Sequence, residues 1–428
     1  MAKILRLENV HFGFSSVDRD EVDKLLYFNS NTGVLRVYIL EQPCKVPFGI
    51  SKSDLNSLLG GVIARDGLDI KELRIIHNQP IVNAYSSPFK IFLDITMECQ
   101  LRCLFCLSEV RDGISAFLSI SIIKKIAKEI KKLGVMYVKI GGGDPILHPN
   151  FLEILEILHS AGCFISMSTN SMIMTQKIAD IFLKFNVKTS ISIEGLEKTD
   201  DYLRTPGHFQ KAITALEILK GAGVNVVLRT TLLRQNLGEV SGLIDLARNK
   251  GVKIKFSYCR PAGRAIHNRM LPGKEDAIEY LEAIRHINKP ENLPCVLMDE
   301  GMMLNQPLDI SKTLLRGRMC GAANRSMHID AFGRISPCIF LGPTFSSGVI
   351  YEEGSIIDFW SGRMGNKFQA ARYIRQPVEC DDCERICNNE CPANRFYFWG
   401  NFDKQDPNCL RFATRERQLL LDRKEKKK

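Results

Sequence analysis

Between residues 89 and 290 the sequence alternates six times between strand-like and helix-like runs, the pattern of consecutive βα units around a parallel sheet. The predicted strands run Phe89 to Thr96, Met136 to Gly141, Phe164 to Ser168, Lys188 to Ile193, Asn225 to Thr231 and Lys253 to Tyr258. Amphipathic segments join them. In Ser119 to Leu133, Ile122, Ile126, Ile130 and Leu133 share one face, opposite Lys124, Lys125 and Lys128. Right-handed units of this kind predict an α/β fold, a partial (β/α)6 barrel open at its edges.

In such barrels the loops after the strands carry the chemistry. Here those loops hold the unusual segments: a cysteine cluster, then Gly141-Gly142-Gly143-Asp144-Pro145, then Ser168-Thr169-Asn170. Ser192-Ile193-Glu194-Gly195, Arg229-Thr230-Thr231 and Cys259-Arg260-Pro261-Ala262-Gly263-Arg264 follow. Asn170 and Thr230 are expected to face the same mouth. His148 and His208 have no partner spacing and read as loop residues.

The flanks read as separate modules. Residues 1–85 form a small N-terminal α+β unit: a hairpin over Leu25 to Leu40 around Asn29-Ser30-Asn31-Thr32-Gly33, then helices over Ser51 to Ile63 and Asp69 to His77. Residues 86–310 form the barrel, 311–415 a cysteine-rich domain organised by ligands more than by a core, and 416–428 a basic tail.

Fourteen cysteines in a chain with no signal-peptide core and no apolar run of about 18 residues predict a cytoplasmic protein whose thiols stay reduced. Metal or catalytic roles therefore come first. Cys99-x3-Cys103-x2-Cys106 puts three thiolates in one loop, enough to hold three irons of a 4Fe-4S cluster and leave the fourth open. Structural zinc usually takes four protein ligands from paired spacings, so the triplet favours the cluster.

The triplet, with Phe105 before Cys106, resembles the C-x3-C-x-aromatic-C signature of the radical S-adenosylmethionine enzymes, and the resemblance spans the whole predicted barrel. It implies that Cys99, Cys103 and Cys106 hold a 4Fe-4S cluster whose open iron chelates S-adenosylmethionine. One electron then cleaves the sulfonium bond, and the resulting 5′-deoxyadenosyl radical abstracts a hydrogen atom from substrate. Phe105 resembles the family's aromatic near the adenine, with a core aromatic as the alternative. Gly141, Gly142, Gly143, Asp144 and Pro145 resemble the glycine-rich segment that binds the methionine amino group, glycine letting the chain approach a ligand closely. Asp144 stands where the family commonly has Glu. Ser192 and Arg204 resemble positions that bind ribose and carboxylate, and Asn170 joins them as a cofactor-binding candidate.

The last quarter carries Cys320-x12-Gly333-x4-Cys338, then Cys380-x2-Cys383-x3-Cys387-x3-Cys391, then Cys409. This array resembles the SPASM domain, which holds two auxiliary 4Fe-4S clusters, with three residues instead of five between Cys383 and Cys387. The resemblance implies Cys320, Cys338 and Cys391 for the first auxiliary cluster and Cys380, Cys383, Cys387 and Cys409 for the second. Eight ligands are needed and seven are present, which leaves an open iron, a non-cysteine ligand or a distant thiolate such as Cys295 for the first. A zinc-ribbon-like structural domain is the alternative. Cys259 and Cys295 otherwise read as buried small hydrophobes or reactive groups.

Enzymes of this kind mostly modify peptides or proteins, and the N-terminal module faintly resembles winged-helix units that bind a precursor-peptide leader as an added strand. The expected function is maturation of a ribosomally synthesised precursor peptide, with flavodoxin or ferredoxin as low-potential electron donor and no catalytic acid or base assigned. Sulfatase-maturase-like oxidation, or oxidation of a cofactor precursor, uses the same parts. Net charge is +10, partly in the tail, yet no basic helix with base-reading residues is apparent. A zinc-stabilised nucleic-acid-binding or regulatory protein is the reading outside enzymology.

Overall fold

The computed structural model describes residues 3–8, 21–29, 34–45, 73–77, 81, 84–108, 115–273, 275–298, 320–374 and 391–406. Six parallel strands form the centre: β5 (Lys90–Thr96), β6 (Tyr137–Gly142), β7 (Phe164–Thr169), β8 (Lys188–Ser192), β9 (Val226–Leu232) and β10 (Lys253–Tyr258). They lie side by side in sequence order, each pairing with the next. All six match the predicted strands to within one or two residues.

The sheet extends past both predicted edges. β11 (Val296–Met298) adds to β10 in parallel, while β12 (Ser326–Ile329) runs parallel to β5 and continues into β13 (Arg334–Ser336) and β14 (Gly348–Val349). The sheet thus crosses from barrel to cysteine-rich region without a break.

Helices cover one face of this sheet. Ile120–Leu133 begins at Ser119, whose hydroxyl accepts the Ile122 N–H, and ends where Gly134 takes the left-handed conformation that lets its N–H reach the Ile130 carbonyl. Its Ile123, Ile126 and Ile130 join Ile91, Leu93 and Ile140 in one core, together with residues of helices Phe151–Ser160, Gln176–Lys184, His208–Gly221, Val240–Asn249 and Ala277–Ile287. Each fully buried aliphatic side chain contributes about 1.5–3 kcal/mol, so this layer carries most of the fold's stability.

The N-terminal residues form a second sheet, ordered β3-β2-β1-β4. β2 (Glu21–Asn29) and β3 (Val34–Lys45) make the predicted hairpin, longer at both ends; β1 (Lys3–Glu8) pairs with β2 antiparallel. The prediction of a helix over Asp69 to His77 is overturned at Leu73–His77, which is strand β4, parallel to β1. Adjacent β-branched Ile75 and Ile76 suit a strand, and the partner that stabilises it lies some seventy residues away. Ser51 to Ile63 lies outside the described residues. Leu26 of β2 is buried with Met136 and Phe164, so this sheet abuts the ends where the barrel strands begin.

Both histidines read as loop residues are buried. His148 follows the short turn Pro145–Leu147; its Nδ1 accepts the Asn150 N–H, which places the proton on Nε2, facing the Leu118 carbonyl. His208 is the first residue of its helix and wholly inaccessible. Among the described residues no helix is long and apolar enough to cross a membrane.

Candidate functional site

The cysteine loop follows β5 and is held from the side by the end of β6. Gly143 N–H donates to Thr96 O at 2.8 Å and Asp144 N–H to Glu98 O at 2.7 Å. A Cβ on Gly142 would lie 2.0 Å from Thr96 O, and one on Gly143 1.9 Å from Glu98 O. These glycines are therefore required for the approach of two backbones. The space a Cβ would need is filled by the cysteine loop.

Asp144 is fully buried and accepts from the Thr169 hydroxyl at 2.9 Å, the Asn170 N–H at 3.2 Å and the Ile146 N–H at 3.3 Å. Burial raises its carboxyl above the ordinary range, opposed by those hydrogen bonds. It ties the end of β7 to the end of β6, and the shorter Asp side chain suits that distance. Asn170 is thereby placed beside the first thiol: its amide donates to Cys99 Sγ at 3.5 Å and to Gln100 Oε1 at 2.9 Å.

Cys103 has its own donor. Arg204 Nη1 lies 3.5 Å from Cys103 Sγ, Nη2 lies 2.6 Å from Glu194 Oε1, and Nε stands 3.9 Å from Asp200 Oδ1. Burial opposes the guanidinium charge, yet Cys103, Glu194 and Asp200 beside it hold it well above its usual range. Glu194 also accepts the Thr231 N–H at 2.6 Å, and Asp200 accepts the Glu194 N–H at 2.7 Å. His208 completes the network, with Nδ1 2.5 Å from Asp200 Oδ2 and Nε2 3.0 Å from the Asn170 carbonyl. Glu194, Asp200 and His208 were assigned no role from sequence. They are ten, four and four residues from Arg204, a spacing that crosses a strand end and a helix and so shows no periodic signal.

The loop after β10 clasps the cysteines from the opposite side. Arg264 donates its backbone N–H to Cys106 O at 3.0 Å and its Nε to Cys103 O at 2.9 Å, while Asn268 donates to Leu104 O at 2.6 Å. Gly263, at φ +60°, would bring a Cβ within 2.4 Å of Cys106 O.

Burial pushes the Cys99 thiol up to about 11, with Asp144, Cys103 and Cys106 adding repulsion; burial likewise raises Cys103. Thiols so placed become thiolates when a metal replaces the proton, and N–H donors stand ready for two of the sulfurs. This donor set fits an iron-sulfur cluster.

The remaining candidates divide. Phe105 packs beside an apolar cluster that includes Leu203, Leu233 and Cys259, with the Arg204 guanidinium 5.3 Å from its ring centroid. Ser192 ends β8 beside Arg229, partly exposed on the uncovered face of the sheet. Arg204, expected at a ligand carboxylate, is instead engaged by Glu194, an anion already inside the protein. Thr230 does not face the mouth: it is fully buried and donates to Ile193 O at 2.7 Å.

In the C-terminal region Cys320, Cys338 and Cys391 line one small apolar pocket with Leu341, Ala371 and Ile374. Burial and the neighbouring Cys320 and Cys391 push the Cys338 thiol up to about 12. Gly333, at φ +77°, turns the β12–β13 hairpin that carries Cys338 back toward Cys320, which explains its place in the spacing. Asp406 is buried next to Cys391, whose N–H it accepts at 2.9 Å. Cys295 sits at the opposite edge of the sheet, beside β11, and donates to Val252 O. Cys259 is a buried thiol in the apolar cluster beside Phe105. Cys380, Cys383, Cys387 and Cys409 lie outside the described residues.

Known proteins share these features. The Radical SAM superfamily matches residues 93–247, and SPASM, an iron-sulfur cluster-binding domain, matches residues 320–384. The mycofactocin maturase MftC of Mycobacterium tuberculosis (strain CDC 1551 / Oshkosh) is 26% identical over 346 residues, spanning 78% of this chain and 87% of that protein. An AdoMet-dependent heme synthase of Methanosarcina barkeri (strain Fusaro / DSM 804) is 23% identical over 358 residues, 76% of this chain and 97% of that one. Streptococcus suis SuiB, solved with S-adenosylmethionine bound, shares the fold with a TM-score of 0.66 at 13% identity, covering 92% of this chain and 99% of SuiB. With three thiols gathered at the mouth of the barrel and three more beneath the hairpin that extends its sheet, the chain is an enzyme of the radical SAM superfamily with a C-terminal SPASM domain.

Proposed function

We propose that this chain matures a ribosomally made precursor peptide, with Cys99, Cys103 and Cys106 as ligands of the 4Fe-4S cluster that takes S-adenosylmethionine at its open iron. When bound, that cofactor pair supplies a 5′-deoxyadenosyl radical able to remove a hydrogen atom from the substrate. Asn170 and Arg204 donate N–H to the Cys99 and Cys103 sulfurs, while the Glu194–Asp200–His208 network holds Arg204 in place. In this reading Phe105, the segment Gly141 to Pro145, and Ser192 serve the bound S-adenosylmethionine. Cys320, Cys338 and Cys391 serve the first auxiliary cluster, and Cys380, Cys383, Cys387 and Cys409 the second.

The observation that carries this reading is the gathering of the first three thiols in one loop at the barrel mouth, Cys103 buried and Cys99 and Cys106 half-buried, with separate N–H donors to two of them. Peptide as substrate is supported by the maturases among the relatives and by SuiB, solved also with its precursor peptide SuiA. Flavodoxin or ferredoxin delivers the electron, in the cytoplasm. The heme synthase relative favours a second reading, oxidation of a cofactor precursor, which needs no leader sequence.

Anaerobic reconstitution with iron and sulfide, followed by a dithionite-driven assay for 5′-deoxyadenosine, tests the proposal. Expected are about eleven to twelve irons per chain, and cofactor cleavage that disappears in Cys99→Ala/Cys103→Ala/Cys106→Ala. Zinc in place of iron, with no deoxyadenosine, overturns it.

A further inference from the structure

The two faces of the barrel sheet are chemically opposite. Ile91, Val138, Ile165, Ile191, Leu228 and Ile254 point under the helices, so alternation sends Lys139, Ser166, Lys188, Ser190, Arg229 and Lys255 to the concave face. Parallel sheets covered on both sides carry apolar residues on both. Here the concave face carries Phe92, Tyr137, Phe164 and Val227 as well, but its middle is polar, and its cations outnumber its carboxylates.

Lys139, Ser166 and Lys188 are successive partners across β6, β7 and β8; Ser192, Arg229 and Lys255 are successive partners across β8, β9 and β10. Neighbouring strands lie about 4.8 Å apart, so Arg229 and Lys255 stand side by side, an arrangement that destabilises a sheet when both charges are alike. Burial, and then the charges of Lys255 and Lys253, pull the Lys188 ammonium below its usual range. The nearby carboxylates are held by other cations or rings: Asp94 accepts from His328 Nε2 at 2.9 Å through Oδ2 while its Oδ1 has no partner, and Glu194 accepts from Arg204. Among the described residues neither Lys188 nor Arg229 forms an ion pair.

We propose that the concave face binds a carboxylate of the substrate peptide, an acidic side chain or the chain terminus, between Lys188 and Arg229. The inference rests on the peptide reading above. A bound carboxylate offsets the charges of Lys188 and Arg229 and fixes one end of the substrate on this face. Among the described residues no hydrogen bond or ion pair joins Lys188 or Arg229 to the cysteine loop, so substrate anchoring is expected to be separable from cofactor cleavage.

The test uses the reconstituted enzyme and three fluorescein-labelled hexapeptides identical but for charge: Gly-Ser-Glu-Tyr-Ser-Gly amide, its Gln counterpart as amide, and the Gln counterpart as free acid. Anisotropy at low salt should show at least one acidic peptide bound about tenfold more tightly than the neutral one, and which one identifies the source of the carboxylate. That preference should vanish in Lys188→Gln/Arg229→Gln and persist in Lys188→Arg/Arg229→Lys. Equal binding of all three peptides, no binding, or a preference that survives the glutamine variant overturns the proposal. Substrate-free deoxyadenosine formation, run in parallel, should be the same in wild type and variants. Its absence in wild type sinks the radical reading; its loss in the glutamine variant alone assigns the two residues to the cofactor and sinks the carboxylate site.

Discussion

Arg204 shows what one residue's neighbours do to its expected role. A guanidinium near the cysteines suits a ligand carboxylate, but here Glu194 occupies one edge of the fork at 2.6 Å and Cys103 Sγ the other at 3.5 Å. Removing one partner of a buried pair leaves the other charge uncompensated, at about 3–5 kcal/mol. Arg204→Leu should therefore lower stability by that order in denaturant unfolding of the reconstituted protein. Hydrogen bonds to cluster sulfurs help set the reduction potential, and losing an N–H disfavours the electron-rich state. An EPR-monitored titration should accordingly find the cluster of Arg204→Leu at a more negative potential than wild type, with a smaller displacement for Asn170→Ala. Unchanged stability and potential in Arg204→Leu would show that the pair does neither. The motif made Arg204 legible; Glu194, Asp200 and His208 were not, because side chains four to ten positions away meet only once strand and helix have folded together.

At the scale of elements, the barrel strands were readable because alternation of apolar and polar residues is a local signal, repeated six times with one face always apolar. β4 was misread for the complementary reason: Leu-Arg-Ile-Ile-His is too short to show a period, and its pairing with β1 is remote in sequence. The glycine-rich end of β6 was located from sequence, while its reason came from the structure. Gly143→Ala should displace the cysteine loop, because the nearest obstacle to a Cβ is backbone at 1.9 Å, and reconstituted protein should lose about four irons while keeping the auxiliary ones. Gly221→Ala is the matched control. It lies at a helix end with nothing within 4 Å of the added Cβ, so iron content should hold and thermal stability rise slightly, by up to about 1 kcal/mol.

Across the whole molecule, the cysteine-rich region is joined to the barrel by more than a linker. β12 continues the parallel sheet beside β5, Trp360 Nε1 donates to Tyr85 O at 2.7 Å, and the Ile356 N–H reaches Glu129 at 2.8 Å. Trp360 and Phe359 are fully buried in the same core as the barrel strands. A chain truncated after residue 310 would expose β5 as an unpaired edge together with this apolar surface, which templates association. Size-exclusion chromatography should find the truncated protein aggregated, whereas the full chain elutes as a discrete species; a monodisperse truncated barrel would show that the two parts fold independently.

The sequence by itself determined the βα order, the cysteine loop and the C-terminal cysteine array, because strand alternation and ligand spacing are short-range properties of a chain. Only the tertiary structure decided that β12 would close onto β5, that Arg204 would pair with Glu194, and that lysines from separate strands would share one concave face. Each of those depends on which distant segments become neighbours, and that choice is made by burying one continuous apolar layer rather than by any local pattern.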